Sequence, residues 1–191
     1  MTIRRLQPRT RRRKSRGATI VEFALVAPVF FGALFGSLDG GVLLYSANAI
    51  NHATGLGMIV LAQEGNLPAA DTDAVAAVTS GGFSSTGFAK LDEIDIFLVH
   101  VDATTGAVTQ DTNSCSGSAC FNRYDGKGNA IGGTVPWPPG APAGTRGFRN
   151  TSSLSLTNIG ITIKTHYNYL AFSSAKLNMV STRYFRLEPQ S

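Results

Sequence analysis

Cysteine is nearly absent from this sequence: Cys115 and Cys120 are the only two in 191 residues, and there are only three histidines. Four residues separate the cysteines. That spacing, with no paired His/Cys set, argues against a zinc site and against Cys-x-x-Cys redox chemistry. Catalytic signatures are missing as well. There is no Gly-x-Ser-x-Gly elbow and no phosphate loop of the usual spacing, so neither enzyme activity nor a cofactor is expected. Cations are scarce outside one place. The first sixteen residues hold eight of the seventeen Lys and Arg. From Ala18 onward nine basic side chains face twelve acidic ones, a net charge of −3. The overall +5 therefore reports a localised block and not a nucleic-acid surface, which would spread its cations over the folded part.

That block, Arg11-Arg12-Arg13-Lys14-Ser15-Arg16, stops at Gly17, and an apolar run of 21 residues follows from Ala18 to Leu38. As a helix the run spans roughly 31 Å, close to the hydrocarbon thickness of a bilayer. Pro28 lies in its middle. Proline kinks a soluble helix but is tolerated in membrane helices, where neighbours satisfy the freed carbonyl. Gly32 and Gly36 form a Gly-x-x-x-Gly step. The run carries one charge, Glu22, five residues after Gly17. A carboxylate in hydrocarbon costs a few kcal/mol or more and usually has a partner. The cations orient the segment: they stay cytoplasmic, and everything after Leu38 lies outside.

Three readings fit this start. One is an uncleaved single-pass anchor carrying a periplasmic binding module. Another is a secretory signal cut at the small-x-small site Ala47-x-Ala49, although its apolar region is normally only about 7–15 residues. A twin-arginine variant lacks the apolar residues expected just after the arginines. The third is a prepilin leader cut after Gly17, which leaves Ala18 as the first mature residue.

The stretch Arg16-Gly17-Ala18-Thr19-Ile20-Val21-Glu22-Phe23-Ala24-Leu25-Val26-Ala27-Pro28 resembles the start of the TadE/TadG-like minor pseudopilins of tight-adherence (Tad or Flp, type IVb) pilus systems. Leu38-Asp39-Gly40-Gly41-Val42-Leu43-Leu44-Tyr45 is similar to that family's acidic-x-Gly-x-Leu-Leu-Tyr continuation. The segment from Ala47 to Ala62 resembles its small-residue helix tail, and Ser181 to Pro189 its terminal strand. The sequence departs from the usual pattern with Asp39 where Glu is commoner, and with Gly41 in place of an aromatic or basic neighbour. The resemblance implies cleavage between Gly17 and Ala18 by a membrane prepilin peptidase. It implies assembly with other pilins and pseudopilins on an inner-membrane platform. It also implies that Glu22, beside Phe23, meets the new Ala18 amine of a neighbouring subunit. The glycine keeps the backbone before the scissile bond accessible, and two buried charges that neutralise each other cost far less than either alone.

The expected organisation is a cytoplasmic leader over 1–17, a transmembrane helix over 18–38, an extracytoplasmic continuation of the stem helix over 39–63, and a head over 64–191 with a loop insertion at about 110–150. The fold class is α+β: a long N-terminal helix, its first half transmembrane, packed on an antiparallel sheet. Leu43, Ala47, Ile50, Ala53, Gly57 and Leu61 recur at helical steps as a small-apolar stripe, with Asn48, Asn51, His52 and Thr54 as a polar set. Glu64-Gly65-Asn66-Leu67-Pro68 ends the helix. His52, alone on a helix face, reads as a packing or surface residue.

Asp71 to Val78 reads as a short helix with Asp71 or Asp73 accepting the free amides, and Ser80 to Gly87 as a loop. Leu91 to Val101 is a strand, Asp102 to Gly106 a hairpin turn and Ala107 to Thr109 the return. Asp92, Glu93 and Asp95 read as a solvated acidic strand end and not as a cation cage. Cys115 and Cys120, outside the cytoplasm, favour a short disulfide loop. Asp125 to Asn129 is a turn, and Pro136-Trp137-Pro138-Pro139-Gly140 is extended and stiff, with Trp137 either a contact residue or a core plug. Thr157 to Phe172 and Val180 to Leu187 are strands joined by 173–179, with Tyr184 and Phe185 as expected core. His100 and His166 both fall on strands, with coincidence expected over a shared site.

Overall fold

The computed structural model describes residues 16–83, 89–115, 119–133, 148–152, 156–169 and 175–189. The basic block up to Ser15, residues 84–87 of the expected Gly/Ser loop, the Pro136–Gly140 segment with Trp137, and residues 170–172 lie outside the described residues. The chain divides into two compact units, Met1–Leu38 and Asp39–Ser191.

Helix α1 covers Arg16–Glu64 and contains Pro28. It is the one helix among the described residues long and apolar enough to cross a membrane. Within the first unit the large apolar side chains from Ile20 to Leu38 are exposed, Leu25 and Val29 among them. The helix ends where Gly65 takes φ 56° and its N–H donates to the Leu61 carbonyl at 2.9 Å. Glycine adopts this left-handed cap without a Cβ clash.

In the second unit the α1 residues from Asp39 onward pack on an antiparallel sheet, as the small-apolar stripe predicts. Ile50, Ala53 and Leu61 are buried. At Gly57 a Cβ would lie 2.7 Å from Val78 Cγ2 and 2.8 Å from Ile161 Cδ1, so the missing side chain sets how closely the helix approaches its neighbours. Thr54, expected on the polar face, is fully buried instead; its hydroxyl donates to the Ile50 carbonyl at 2.7 Å, which makes burial tolerable.

Helix α2, Ala70–Ala76, is followed by a π-helical stretch, Ala77–Phe83. This corrects two expectations. Neither Asp71 nor Asp73 caps α2, which starts after Ala69 with no side-chain cap. Ser80 belongs to the π-helical stretch and not to a loop, and its hydroxyl donates back to the Ala76 carbonyl.

The strands are β1 (Ala89–Val101), β2 (Val108–Gln110), β3 (Phe121–Asp125), β4 (Ala130–Gly133), β5 (Asn158–Asn168) and β6 (Lys176–Arg186). Their order is β4-β3-β1-β5-β6, with β2 also pairing β1, and every pairing is antiparallel. Residues 121–133, expected as loop, therefore supply two strands, and β6 begins at Lys176, inside the expected connection. Ile94 and Ile96 of β1 and Ile159, Ile161 and Ile163 of β5 form the buried inner face. Tyr184 and Phe185 cannot share that face, since adjacent strand residues point to opposite sides. Phe185 packs on the core, while Tyr184 is 46% exposed on the outer face. There it makes an edge contact with Phe97 at 6.1 Å.

The predicted disulfide is present between Cys115 and Cys120, both buried. It closes the connection between β2 and β3, where the edge of β1 passes from one partner to the other. At that point the Leu98 N–H donates to the Cys120 carbonyl and its carbonyl accepts from the Asp111 N–H, both at 2.9 Å.

Candidate functional site

The sequence-predicted processing and assembly residues lie together at the start of α1. Gly17 and Ala18 are helical, one turn before Glu22 and Phe23. Glu22 is exposed, Phe23 is 68% exposed, and among the described residues Glu22 makes no ion pair. Gly32 and Gly36 have open space where a Cβ would stand. The first unit thus presents an apolar helix with one carboxylate near its start.

The second unit begins with Asp39, and this residue is anchored. It is only 6% exposed, and Tyr167 of β5, fully buried, donates its hydroxyl to Asp39 Oδ1 at 2.9 Å. Burial, then the hydrogen bond to Asp39, pushes the Tyr167 phenol up to about 12, so it remains a donor at physiological pH. Further along, Ser181 of β6 donates to Asn51 Oδ1 at 3.0 Å. The Glu188 N–H donates to the Ala62 carbonyl at 3.2 Å. These contacts join α1 to the last two strands at three levels and fix its rotation on the sheet.

Sequence reasoning missed the most buried polar group of the head. Asp71 of α2 receives two hydrogen bonds from Arg149, Nη1 to Oδ1 at 2.5 Å and Nη2 to Oδ2 at 2.9 Å, and both side chains are fully buried. Asn122 Nδ2 adds a third donor at 2.7 Å, and the Tyr124 hydroxyl lies 3.4 Å from Oδ2. Burial and the adjacent carboxylate raise the Tyr124 phenol, with the Arg149 guanidinium working the other way. A bidentate Arg–carboxylate pair with extra donors is the arrangement that makes a buried charge tolerable. Asp71, like Asp73, has the sequence position of a helix cap, and Arg149 sits in a Gly/Pro-rich stretch with no local signal. Only the tertiary structure brings them together.

The acidic residues on β1 are paired with strand neighbours. Arg123 Nε donates to Asp95 Oδ1 at 2.7 Å and lies 3.0 Å from Glu93. Lys164 bridges Glu93 and Asp95. Asp95 is partly desolvated, yet the hydrogen bonds from Arg123 and Lys164 prevail and hold its carboxyl below the usual range. Asp92 binds His166 Nδ1 at 2.7 Å. His166 pairs with Lys90 at one end of β1 and His100 with Thr109 at the other, so the two histidines do not share a site. His52 is exposed on α1. Among the described residues no group of three or more His, Cys, Asp or Glu is placed to hold a metal ion. What the arrangement provides is mechanical: a stem clamped to a sheet, and charges neutralised in place.

Residues 17–57 match the family model of TadE-like proteins. The matched segment takes in Gly17, Ala18, Glu22, Phe23, Pro28 and Asp39, and the end of α1 from residue 58 and the whole head lie outside it. No curated protein and no solved structure matches the chain.

Proposed function

We propose that this chain is a minor pilin or pseudopilin of a Tad-type pilus used for surface adherence, and that its work is structural and not catalytic. The observation that carries the reading is the TadE-like match over residues 17–57, which opens at Gly17 and covers the apolar start of α1 with its single carboxylate. In this reading the protein inserts once in the bacterial inner membrane, with its basic leader cytoplasmic and its head periplasmic. A prepilin peptidase cuts between Gly17 and Ala18. The matured chain then joins other pilins and pseudopilins on the assembly platform, with Pro28 bending the transmembrane helix. Glu22 meets the Ala18 ammonium of a neighbour, which neutralises both charges inside the apolar bundle and sets the register between subunits. Exposed Glu22 and Phe23 in the single chain are consistent with contacts that a second subunit completes.

Amino-terminal sequencing of protein purified from membranes tests it. A mature start at Ala18 is the expected result. A start at Met1 would leave an uncleaved anchored periplasmic module, and a start near Asn48 or Ile50 a secreted head.

A further inference from the structure

We propose that the end of the head surrounding Asp39 docks on an anionic phospholipid surface through Lys90, Lys127 and Lys176, with Tyr45 and Tyr169 at headgroup level. The inference rests on the reading that residues 18–38 span a bilayer. Asp39 follows the last residue of that run directly, so the groups packed around Asp39 are held within reach of the membrane surface. Tyr167 is the residue so held, 2.9 Å from the Asp39 carboxylate.

The strand register then places the lysines. Tyr167 stands opposite Ala89 on β1 and Leu177 on β6. Lys90 and Lys176 are the next residues along those strands, and strand spacing puts both within about 10 Å of that end of β5. Lys127, in the turn after β3, shares with Lys90 an open recess of about 510 Å³. All three lysines are exposed, and none forms an ion pair among the described residues. The head's other lysine, Lys164, is taken up by Glu93 and Asp95.

Two carboxylates, Asp92 and Asp125, share this end with the three lysines. Asp92 binds His166, and Asp125 accepts from the N–H groups of Lys127 and Asn129 and from Asn129 Nδ2. At the opposite end of the sheet Asp102 and Asp111 stand with the exposed Arg186 of β6, which pairs Asn158. Asp102 and Asp111 sit beyond Val101 and beside β2, and hydrogen bonds from the Thr104, Thr105, Asn113 and Ser114 backbones favour their ionised forms. Three lysines thus outnumber the carboxylates at the Asp39 end of the sheet, while at the other end Asp102 and Asp111 outnumber Arg186.

The aromatic residues agree with this polarity. Tyr45 is 54% exposed and Leu44 68% exposed, within two turns of Asp39 on the helix. Helical side chains lean towards the N-terminus, here towards Asp39. Tyr169 packs edge-on against Tyr167 at 5.4 Å. Tyrosines favour the headgroup layer, and lysines near an anionic surface strengthen binding. The occupant is a lipid surface because the covalent tether brings one there and its charge is complementary.

The test uses the full chain reconstituted in vesicles of phosphatidylcholine, with and without phosphatidylglycerol. A single environment-sensitive label is placed at Asn178→Cys, exposed on the lysine-bearing end, or at Thr104→Cys, exposed in the far turn. Quenching by headgroup-labelled lipid is then read. With phosphatidylglycerol present, the label at 178 is expected to be quenched well above that at 104. Each of Lys90→Gln, Lys127→Gln and Lys176→Gln should lower the docked-to-free ratio about fivefold at low salt. Equal quenching at the two sites, or quenching at 178 indifferent to phosphatidylglycerol and to the three lysines, overturns the proposal while leaving the membrane-spanning reading in place. Protein that does not float with the vesicles overturns that reading and this proposal with it.

Discussion

Arg149 shows how much one side chain can hold. Its guanidinium reaches α2 from a segment 78 residues further along the chain and neutralises a fully buried carboxylate. Arg149→Ala leaves Asp71 charged and buried, and should destabilise the head by about 3–5 kcal/mol. Asp71→Leu combined with Arg149→Met, which removes both charges, should recover most of that loss. Chemical denaturation of the four proteins in detergent, followed by circular dichroism, gives the cycle directly. Asp95 belongs to the opposite kind of site, paired but near solvent. Its carboxyl lies below the usual range because Arg123 and Lys164 outweigh its desolvation. A group depressed in the folded state contributes stability above its unfolded value and loses it as pH falls through the folded one. Asp102, Asp111 and Asp125 are shifted the same way, whereas burial and then nearby Asp73 raise Glu64, which works against them. The melting temperature should accordingly hold from neutral pH to about 5 and fall below about 4. Asp95→Asn should shallow that acid limb. Neither Arg149 nor the burial of Thr54 was legible in the sequence, because each is made tolerable by a partner that local pattern does not reveal: a carboxylate far along the chain for one, a carbonyl on the preceding helical turn for the other.

Among the elements, α1 and β5 were the easiest to read. Ile159, Ile161 and Ile163 alternate with polar residues because one face of β5 is core and the other is not. β3 was hidden for a physical reason. Its inward residues include Asn122 and Tyr124, whose polar atoms are satisfied by Asp71, so the strand shows no apolar alternation. Tyr184 is aromatic yet exposed, because register alone decides the face. The fit of α1 on the sheet turns on glycine. Gly57→Ala gains about 1 kcal/mol of helix propensity but drives a Cβ into Val78 and Ile161, and overpacking costs about 1–3 kcal/mol, so a net loss is expected. Gly55, two residues earlier, has open space around it, and Gly55→Ala should stabilise by about 1 kcal/mol. Thermal unfolding of the two variants should move in opposite directions.

At the scale of the whole molecule, the chain divides into two units. In the proposed pilus role the first unit keeps its one carboxylate for another chain, and Glu22→Gln should leave cleavage after Gly17 largely intact while sharply reducing incorporation into filaments. Immunoblotting of sheared pili against whole membranes measures both. A normal yield of filaments carrying the variant would remove the charge-pair account. The second unit is closed late in sequence. Strand β1 lies between β3 and β5, and the end of α1 is joined to Glu188. In the proposed topology, a nascent head threading through a translocation channel has no early stopping point: until its final strand emerges, the isoleucine-rich β5 offers a bare hydrogen-bonding edge to whatever lies nearby. If the head is periplasmic as proposed, nonsense products that stop before residue 176 should be substrates for periplasmic proteases and holding chaperones, and not half-working subunits.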